Sequence, residues 1–338
     1  MKLLRKILFP FIPIYYLVTW LRNKFYDLGW FSSKSYDIPV ICVGNLSTGG
    51  TGKTPTTEYI IGLLKEKQYQ LAILSRGYGR KTRGFVLAGK NASAETIGDE
   101  PFQFYNKFKG HVSVAVDENR QHGIETLQSM KSPEVIVLDD AFQHRKVKAG
   151  FYVLLTAYGN LYSDDIVLPT GNLRESRAGA KRANCIVVTK CPTSLSSSEK
   201  EQITQQLRPL SHQSVYFSTI SYSEYIYKGS DRFSLQDLVG KTITLVTGIA
   251  HSQPLLDYLR SKSIDFEHLK FKDHHVFSTS DIEVLRQKEI ILTTEKDYMR
   301  LQDSFDANTS QLYYLPISFQ IDKSEAFDTE IISFINSF

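Results

Sequence analysis

The octet Ser47-Thr48-Gly49-Gly50-Thr51-Gly52-Lys53-Thr54 lies between the short apolar run Ile38 to Val43 and a helix-like stretch. Residues of these types at this spacing grip a polyphosphate. Gly49, Gly50 and Gly52 let backbone N–H groups turn inward, Lys53 reaches the β- and γ-phosphates, and the Thr54 hydroxyl can ligate Mg²⁺ at a helix N-terminus. The loop from Ser47 to Thr54 is therefore the expected ATP-binding segment. Its first position departs from the usual pattern, with Ser47 in place of glycine, but the closing G-K-T carries most of the phosphate chemistry. The alternative is a glycine-rich turn that binds nothing. The preceding strand, the three glycines and the G-K-T weigh against it together.

A triphosphate site also needs acids near the metal. Val135 to Asp140 (V-I-V-L-D-D) reads as a buried strand ending in two aspartates, as in a Walker B element, with Asp139 the expected Mg²⁺ contact. A solvated turn is the ordinary use of an Asp-Asp pair. Here the phosphate loop creates a demand for acids at the carboxyl end of a parallel strand, where such sheets place their ligands. Guanine-specific switches read their base with N/T-K-x-D, and Thr189-Lys190-Cys191-Pro192 puts proline where that aspartate must be. ATP is the expected nucleotide.

The residues that position this chemistry alternate between short β-type runs and longer helical patterns, the mark of parallel α/β layering. Strands are expected over 38–43, 71–75, 112–116, 135–138, 152–156 and 186–189, with helices starting at Lys53, near Asp99 and near Asn119. Residues 215–227 have strand composition. The alternation then restarts over 242–247, 254–261, 266–271, 280–287, 290–293 and 312–315. The fold class is α/β: a P-loop NTPase-type parallel-sheet domain, expected over 31–225, with a second, smaller α/β domain over 226–338.

Residues 1–30 form a third part. The stretch from Ile7 to Leu21 carries no charge and is flanked by Lys2, Arg5 and Lys6 on one side and by Arg22 and Lys24 on the other. It is shorter than the roughly 20 apolar residues a bilayer span requires, and Pro10 and Pro13 interrupt it. An N-terminal helix lying in the membrane interface fits better, with Tyr15, Tyr16 and Trp20 at headgroup depth. The competing reading docks this helix on the protein's own core. No small-residue cleavage site follows it, so a signal peptide is not expected.

The 338 residues, 42% of them hydrophobic, suffice for a full core, and a net charge of +4 does not by itself imply nucleic-acid binding. Cys42, Cys185 and Cys191 form no C-x-x-C pair and read as structural residues in a reducing compartment. Arg76, Arg80, Lys81 and Arg83 form a basic cluster around Gly77, Tyr78 and Gly79; such clusters are usually solvated loops. Asp99, followed by Glu100 and Pro101, has the composition of a helix cap.

Seven ordered motifs together carry a family resemblance: G-N-L-S-T-G-G-T-G-K-T-P (44–55), S-R-G-Y-G-R (75–80), G-D-E-P (98–101), L-D-D-A-F-Q-H (138–144), G-N-L-R-E (171–175), D-H-H (273–275) and T-T-E-K-D (293–297). The chain resembles the tetraacyldisaccharide 4′-kinases, the lipid A 4′-kinases of lipopolysaccharide biosynthesis, over nearly its whole length. Ala141 replaces a common glycine, and His251-Ser252-Gln253 replaces an asparagine-proline pattern. The resemblance implies transfer of the ATP γ-phosphoryl group to the 4′-hydroxyl of an acylated disaccharide 1-phosphate, giving lipid IVA. It also implies a peripheral, monotopic position on the cytoplasmic face of the inner membrane, with ATP and Mg²⁺ as cofactors. No nucleic acid and no obligate protein partner are expected. By the same resemblance Asp99 is the catalytic base, His274 tunes or orients it, and Lys53 serves the transferring phosphate. Thr54, Asp139 and Glu100 surround the metal, while Arg76, Arg120, Asp140, Gln143, His144 and Arg174 serve substrate or site contacts. Two rival classes are a P-loop kinase of a soluble substrate and a P-loop ATPase or metallochaperone-like switch acting on a protein.

Overall fold

A computed structural model describes residues 8–229, 231–249, 252–273, 275–306 and 311–338. Expectations resting on His274, His251, Ile7 and the basic residues Lys2, Arg5 and Lys6 lie outside the described residues. The strands, in chain order, are β1 (Val40–Asn45), β2 (Leu71–Ser75), β3 (Val86–Leu87), β4 (Val112–Val116), β5 (Val135–Asp139), β6 (Phe151–Ala157), β7 (Cys185–Cys191) and β8 (Ser214–Tyr222). There follow β9 (Tyr225–Lys228), β10 (Asp231–Ser234), β11 (Ile243–Thr247), β12 (Glu267–Lys270), β13 (Ile290–Thr294), β14 (Leu312–Leu315) and β15 (Ile317–Ile321).

Among the described residues these strands form a nine-stranded sheet in the order β15-β8-β7-β6-β1-β5-β2-β4-β3 and a six-stranded sheet in the order β10-β9-β14-β13-β11-β12. β1 is buried along its whole length, as a parallel strand covered on both faces must be. Its side chains alternate between two cores: Ile41 and Val43 pack with Ile60, Ile61 and Phe104, whereas Val40 and Cys42 pack with Leu74, Ile124 and Leu127. From β1 the chain first builds outward to β2, β4 and β5, then returns to the other side through β6 and β7. β1 thus lies at the switch point, with β5 and β6 parallel on either side, and a ligand crevice opens there at the strands' carboxyl ends.

The chain leaves the larger sheet at residues 223–224, between β8 and β9, and its last strand and helix return to the larger sheet. Pro316 separates β14, which pairs β13 in the smaller sheet, from β15, which runs antiparallel to β8 in the larger one. The helix Ser324–Ile335 follows β15 and buries Phe327, Ile331 and Ile335 in the first unit's core. The chain therefore passes between sheets twice, side by side, and Ser223 N–H donates to the Pro316 carbonyl at 3.0 Å. After β7 comes the helix Ser197–Leu207, started by a capping box between Ser196 and Glu199. All three cysteines are buried and free.

The helix Ile12–Asp27 has no fully buried residue. Ile12 and Tyr15 touch the core beside Leu173, and its polar side is tied to the first unit: Tyr15 Oη to the Arg174 carbonyl at 2.9 Å, Arg22 to the Gln143 carbonyl at 2.6 Å, and Asn23 to Glu175 at 2.7 Å. Phe11, Ile14, Leu17 and Val18 face outward, each more than half exposed. Among the described residues no helix is long and apolar enough to cross a membrane.

Candidate active site

The loop after β1 turns back on itself at Gly49, whose φ of +105° an L side chain rarely adopts, and enters the helix Lys53–Glu66 through Gly52 at φ +79°. A Cβ on Gly52 would also stand 3.3 Å from Thr189. Neighbouring segments clamp the loop's outer backbone. Thr48 N–H donates to the Asn172 carbonyl at 2.7 Å, Lys190 Nζ to the Gly50 carbonyl at 2.6 Å, and Thr189 Oγ1 to the Thr51 carbonyl at 2.8 Å. Asn45 Nδ2 bonds Thr51 Oγ1. The loop is thus held open before any phosphate arrives.

The two aspartates after β5 diverge. Asp139, 3% exposed, accepts from Ser75 Oγ at 2.8 Å and from Thr57 Oγ1 at 3.3 Å. Burial, with Glu100 and Asp140 nearby, pushes its carboxyl up to about 7. Asp140 has φ +46°, a left-handed turn that swings its carboxylate over the loop. There it meets Lys53 Nζ at 3.8 Å and Arg174 at 3.0 Å. Burial would raise it, but Lys53 and then Arg174 hold it below its ordinary value. Arg174 joins the parts: it donates to Asn45 Oδ1 at 2.6 Å, to the Ser47 carbonyl at 3.3 Å and to Gln143 Oε1 at 3.2 Å. Gln143 in turn donates to the Asn45 carbonyl at 2.7 Å.

Gly98 (φ +92°) occupies the cap position of the helix Asp99–Lys107, so Asp99 is its first residue. The G-D-E-P turn presses on the R-G-Y-G loop: a Cβ on Gly98 would stand 2.9 Å from the Tyr78 carbonyl. Asp99 is paired with Arg300, and Glu100 lies 3.4 Å from Thr54 Oγ1 and 3.6 Å from Lys296 Nζ. Thr54, Glu100 and Asp139 therefore lie beside the phosphate loop. His275 of D-H-H pairs with Asp281 at 3.0 Å.

The basic cluster splits. Arg80 is taken by Glu118 at 2.6 Å and Lys81 by Glu95 at 2.7 Å, leaving Arg76 exposed. Arg120, 3% exposed, donates to the Asp117 carbonyl at 2.7 Å, yet its Nε and His144 Nε2 are buried without a hydrogen-bond partner among the described residues. Burial, then Arg120, Lys146, Arg22 and Arg76, lower His144 to about 4. This wall of positive potential flanks the aspartates and opens into a cleft of about 440 Å³ lined by Arg22, Tyr26, Glu118, His144, Arg145 and Lys146.

Sequence reasoning missed four contributors. Asn45 hides as a strand end. Glu175, 1% exposed, anchors Arg182 at 2.7 Å and Gln143 at 3.1 Å. Glu295 and Arg300 come from the second unit; their only signal is the T-T-E-K-D block, with Arg300 one helical turn after Asp297.

The family model for "Tetraacyldisaccharide-1-P 4′-kinase" matches residues 4–336. The chain is 53% identical over 340 residues to a tetraacyldisaccharide 4′-kinase of Flavobacterium johnsoniae, covering 99% of this chain and 98% of that one. Over 357 residues it is 43% identical to the same-named protein of Bacteroides thetaiotaomicron, covering 98% and 93%. Its structure is similar to that of LpxK from Aquifex aeolicus in complex with ATP, at a TM-score of 0.80 and 29% identity over 98% of this chain and 99% of that one.

Proposed function

The chain belongs to the tetraacyldisaccharide-1-P 4′-kinase family, and from that premise we propose that it moves the γ-phosphoryl group of ATP to the 4′-hydroxyl of a membrane-held tetraacyldisaccharide 1-phosphate, forming lipid IVA. The observation that carries this reading is the convergence of a phosphate loop, the acids Asp139, Asp140 and Glu100, and the basic residues Arg76, Arg120 and Arg174 at one end of the parallel sheet.

The 4′-oxygen forms a bond to the γ-phosphorus as the bond to the β-phosphate oxygen breaks, and ADP leaves. Such a transfer asks chiefly for positioning and charge neutralisation. Lys53 and the loop N–H groups supply these for the triphosphate, with Asp140, itself held by Arg174, fixing the Lys53 ammonium. The acceptor proton passes to the Asp99 carboxylate. A carboxylate suffices as the base because, in a loose transition state, the hydroxyl loses its proton late. Arg76, Arg120 and neutral His144 face the phosphorylated acceptor, and Gln143 holds Arg174 to the loop. Glu100 stands 3.4 Å from Thr54 Oγ1, and burial with Glu100 and Asp140 nearby raises Asp139 to about 7, so these oxygens fit a divalent cation. Thr54, Glu100 and Asp139 would hold Mg²⁺, which neutralises phosphate charge when bound.

The N-terminal helix gives the enzyme its place. Its polar side is committed to the site wall while Phe11, Ile14, Leu17 and Val18 face outward, an apolar stripe suited to the interface of the inner membrane's cytoplasmic face. Incubation with ATP, Mg²⁺ and tetraacyldisaccharide 1-phosphate tests the function: a product bearing a second phosphate is expected, lost by at least about 10²-fold in Lys53→Ala. No such product from the wild-type chain, or wild-type turnover in Lys53→Ala, would overturn it.

A further inference from the structure

The helix carrying Asp99 is gripped from two directions. On one side it meets the phosphate-loop helix: Gln103 Nε2 donates to Glu58 Oε1 at 2.8 Å and Lys107 Nζ to Glu58 Oε2 at 2.7 Å. On the other it meets the helix Glu295–Leu301 of the second unit, through apolar contacts of Phe102 with Tyr298 and Met299. Three ion pairs cross that seam: Lys107 with Glu295 at 3.4 Å, Glu100 with Lys296 at 3.6 Å, and Asp99 with Arg300.

The third pair differs in being anchored behind. Arg300 is 7% exposed and its other arm lies 3.0 Å from Asp297, which is fully buried. Asp297 is fixed by the Gly248 N–H at 2.9 Å and by Thr294 Oγ1 at 2.8 Å. The guanidinium is therefore a rigid fork whose position is set by the second unit, and it ends on the carboxylate assigned to take the acceptor proton. A planar fork fixes the direction of a carboxylate in a way a single ammonium cannot.

Resting on the kinase reading above, we infer that Arg300 is a positioning residue for phosphoryl transfer. It aims Asp99 at the acceptor hydroxyl, so that the base is in place only while the helix Glu295–Leu301 is docked on the helix Asp99–Lys107. Arg300 touches no reacting atom and acts through Asp99.

The test measures single-turnover transfer from radiolabelled ATP to tetraacyldisaccharide 1-phosphate in mixed micelles, with full-length enzyme in excess. Arg300→Lys is expected to slow transfer about 10-fold and Arg300→Met about 10²-fold, with the KM for ATP within about twofold of wild type. In an Asp99→Asn background, Arg300→Lys is expected to cost no more than about twofold, because the carboxylate it aims is gone. Arg300→Lys keeps a cation against Asp297 and carries the test even where Arg300→Met does not fold. Losses that multiply in the double variant, or a KM rise with an unchanged transfer rate, overturn the inference. Absence of product from the wild-type chain would instead overturn the functional reading beneath it.

Discussion

Glu58 and Glu295 share one ammonium: Lys107 Nζ lies 2.7 Å from the first and 3.4 Å from the second, and both carboxylates are buried. Burial alone would lower the lysine, but the two acids overcome it and raise its pKa. One cation cannot satisfy both acids in a low-dielectric seam. Burial, then Glu58, push Glu295 from 4.5 up to about 7.

That shift sets the sign of a stability effect. Below about pH 4.5 Glu295 is protonated in folded and unfolded chains alike and contributes nothing. As pH rises toward 7 the folded chain retains a proton the unfolded chain has lost, so stability falls, and above 7 the full cost of a buried charge remains. Glu295→Gln should therefore raise stability at pH 8 by about 1–3 kcal/mol and change it little near pH 5. Thermal melts of both proteins at the two pH values check this. A variant less stable at pH 8 would show that the Lys107 pair outweighs the cost of the charge.

His144 should stay neutral through the working range. Burial and the cations Arg120, Lys146, Arg22 and Arg76 put its pKa at about 4, so it presents a neutral hydrogen-bonding ring and not a cation. In a histidine-selective NMR titration, with His144→Gln supplying the assignment, its signal should not move between pH 5.5 and 8. An inflection between pH 6 and 7 would mean that the wall carries an additional charge.

Where local pattern decides structure, the sequence reading and the fold coincide: β2 and β4 fall on the expected residues, and the phosphate loop sits between the expected strand and helix. Ile317–Ile321 was not among the expected strands, and its partner β8 lies nearly a hundred residues upstream. Periodicity does not name a partner, so the return of β15 and its helix to the first sheet stayed hidden. The site divides in the same way. Lys53 and Asp139 were legible because strand ends and glycines announce them. Asp140 was found as a type, but the φ of +46° that turns it onto Arg174 was not. Arg300 belongs to no element or motif expected from the sequence, and only the fold brings it to Asp99.

The N-terminal helix makes the sharpest prediction about place. Ile14 and Val18 are one helical turn apart and about 60% exposed, while Tyr15 and Arg22, on the neighbouring stripe of the helix, are bonded to the Arg174 and Gln143 carbonyls. Membrane contact and site contact therefore use different residues and can be separated. Burying an Ile or Val side chain is worth about 1.5–3 kcal/mol. Ile14→Glu/Val18→Glu should therefore weaken co-sedimentation with phosphatidylglycerol-containing vesicles by about 10²-fold or more, with the KM for ATP unchanged. Because the acceptor's acyl chains stay in the bilayer, turnover on vesicle-borne substrate should fall with binding and recover in detergent micelles, where the enzyme needs no bilayer. Equal co-sedimentation of the variant and wild type would return the helix to a purely structural role.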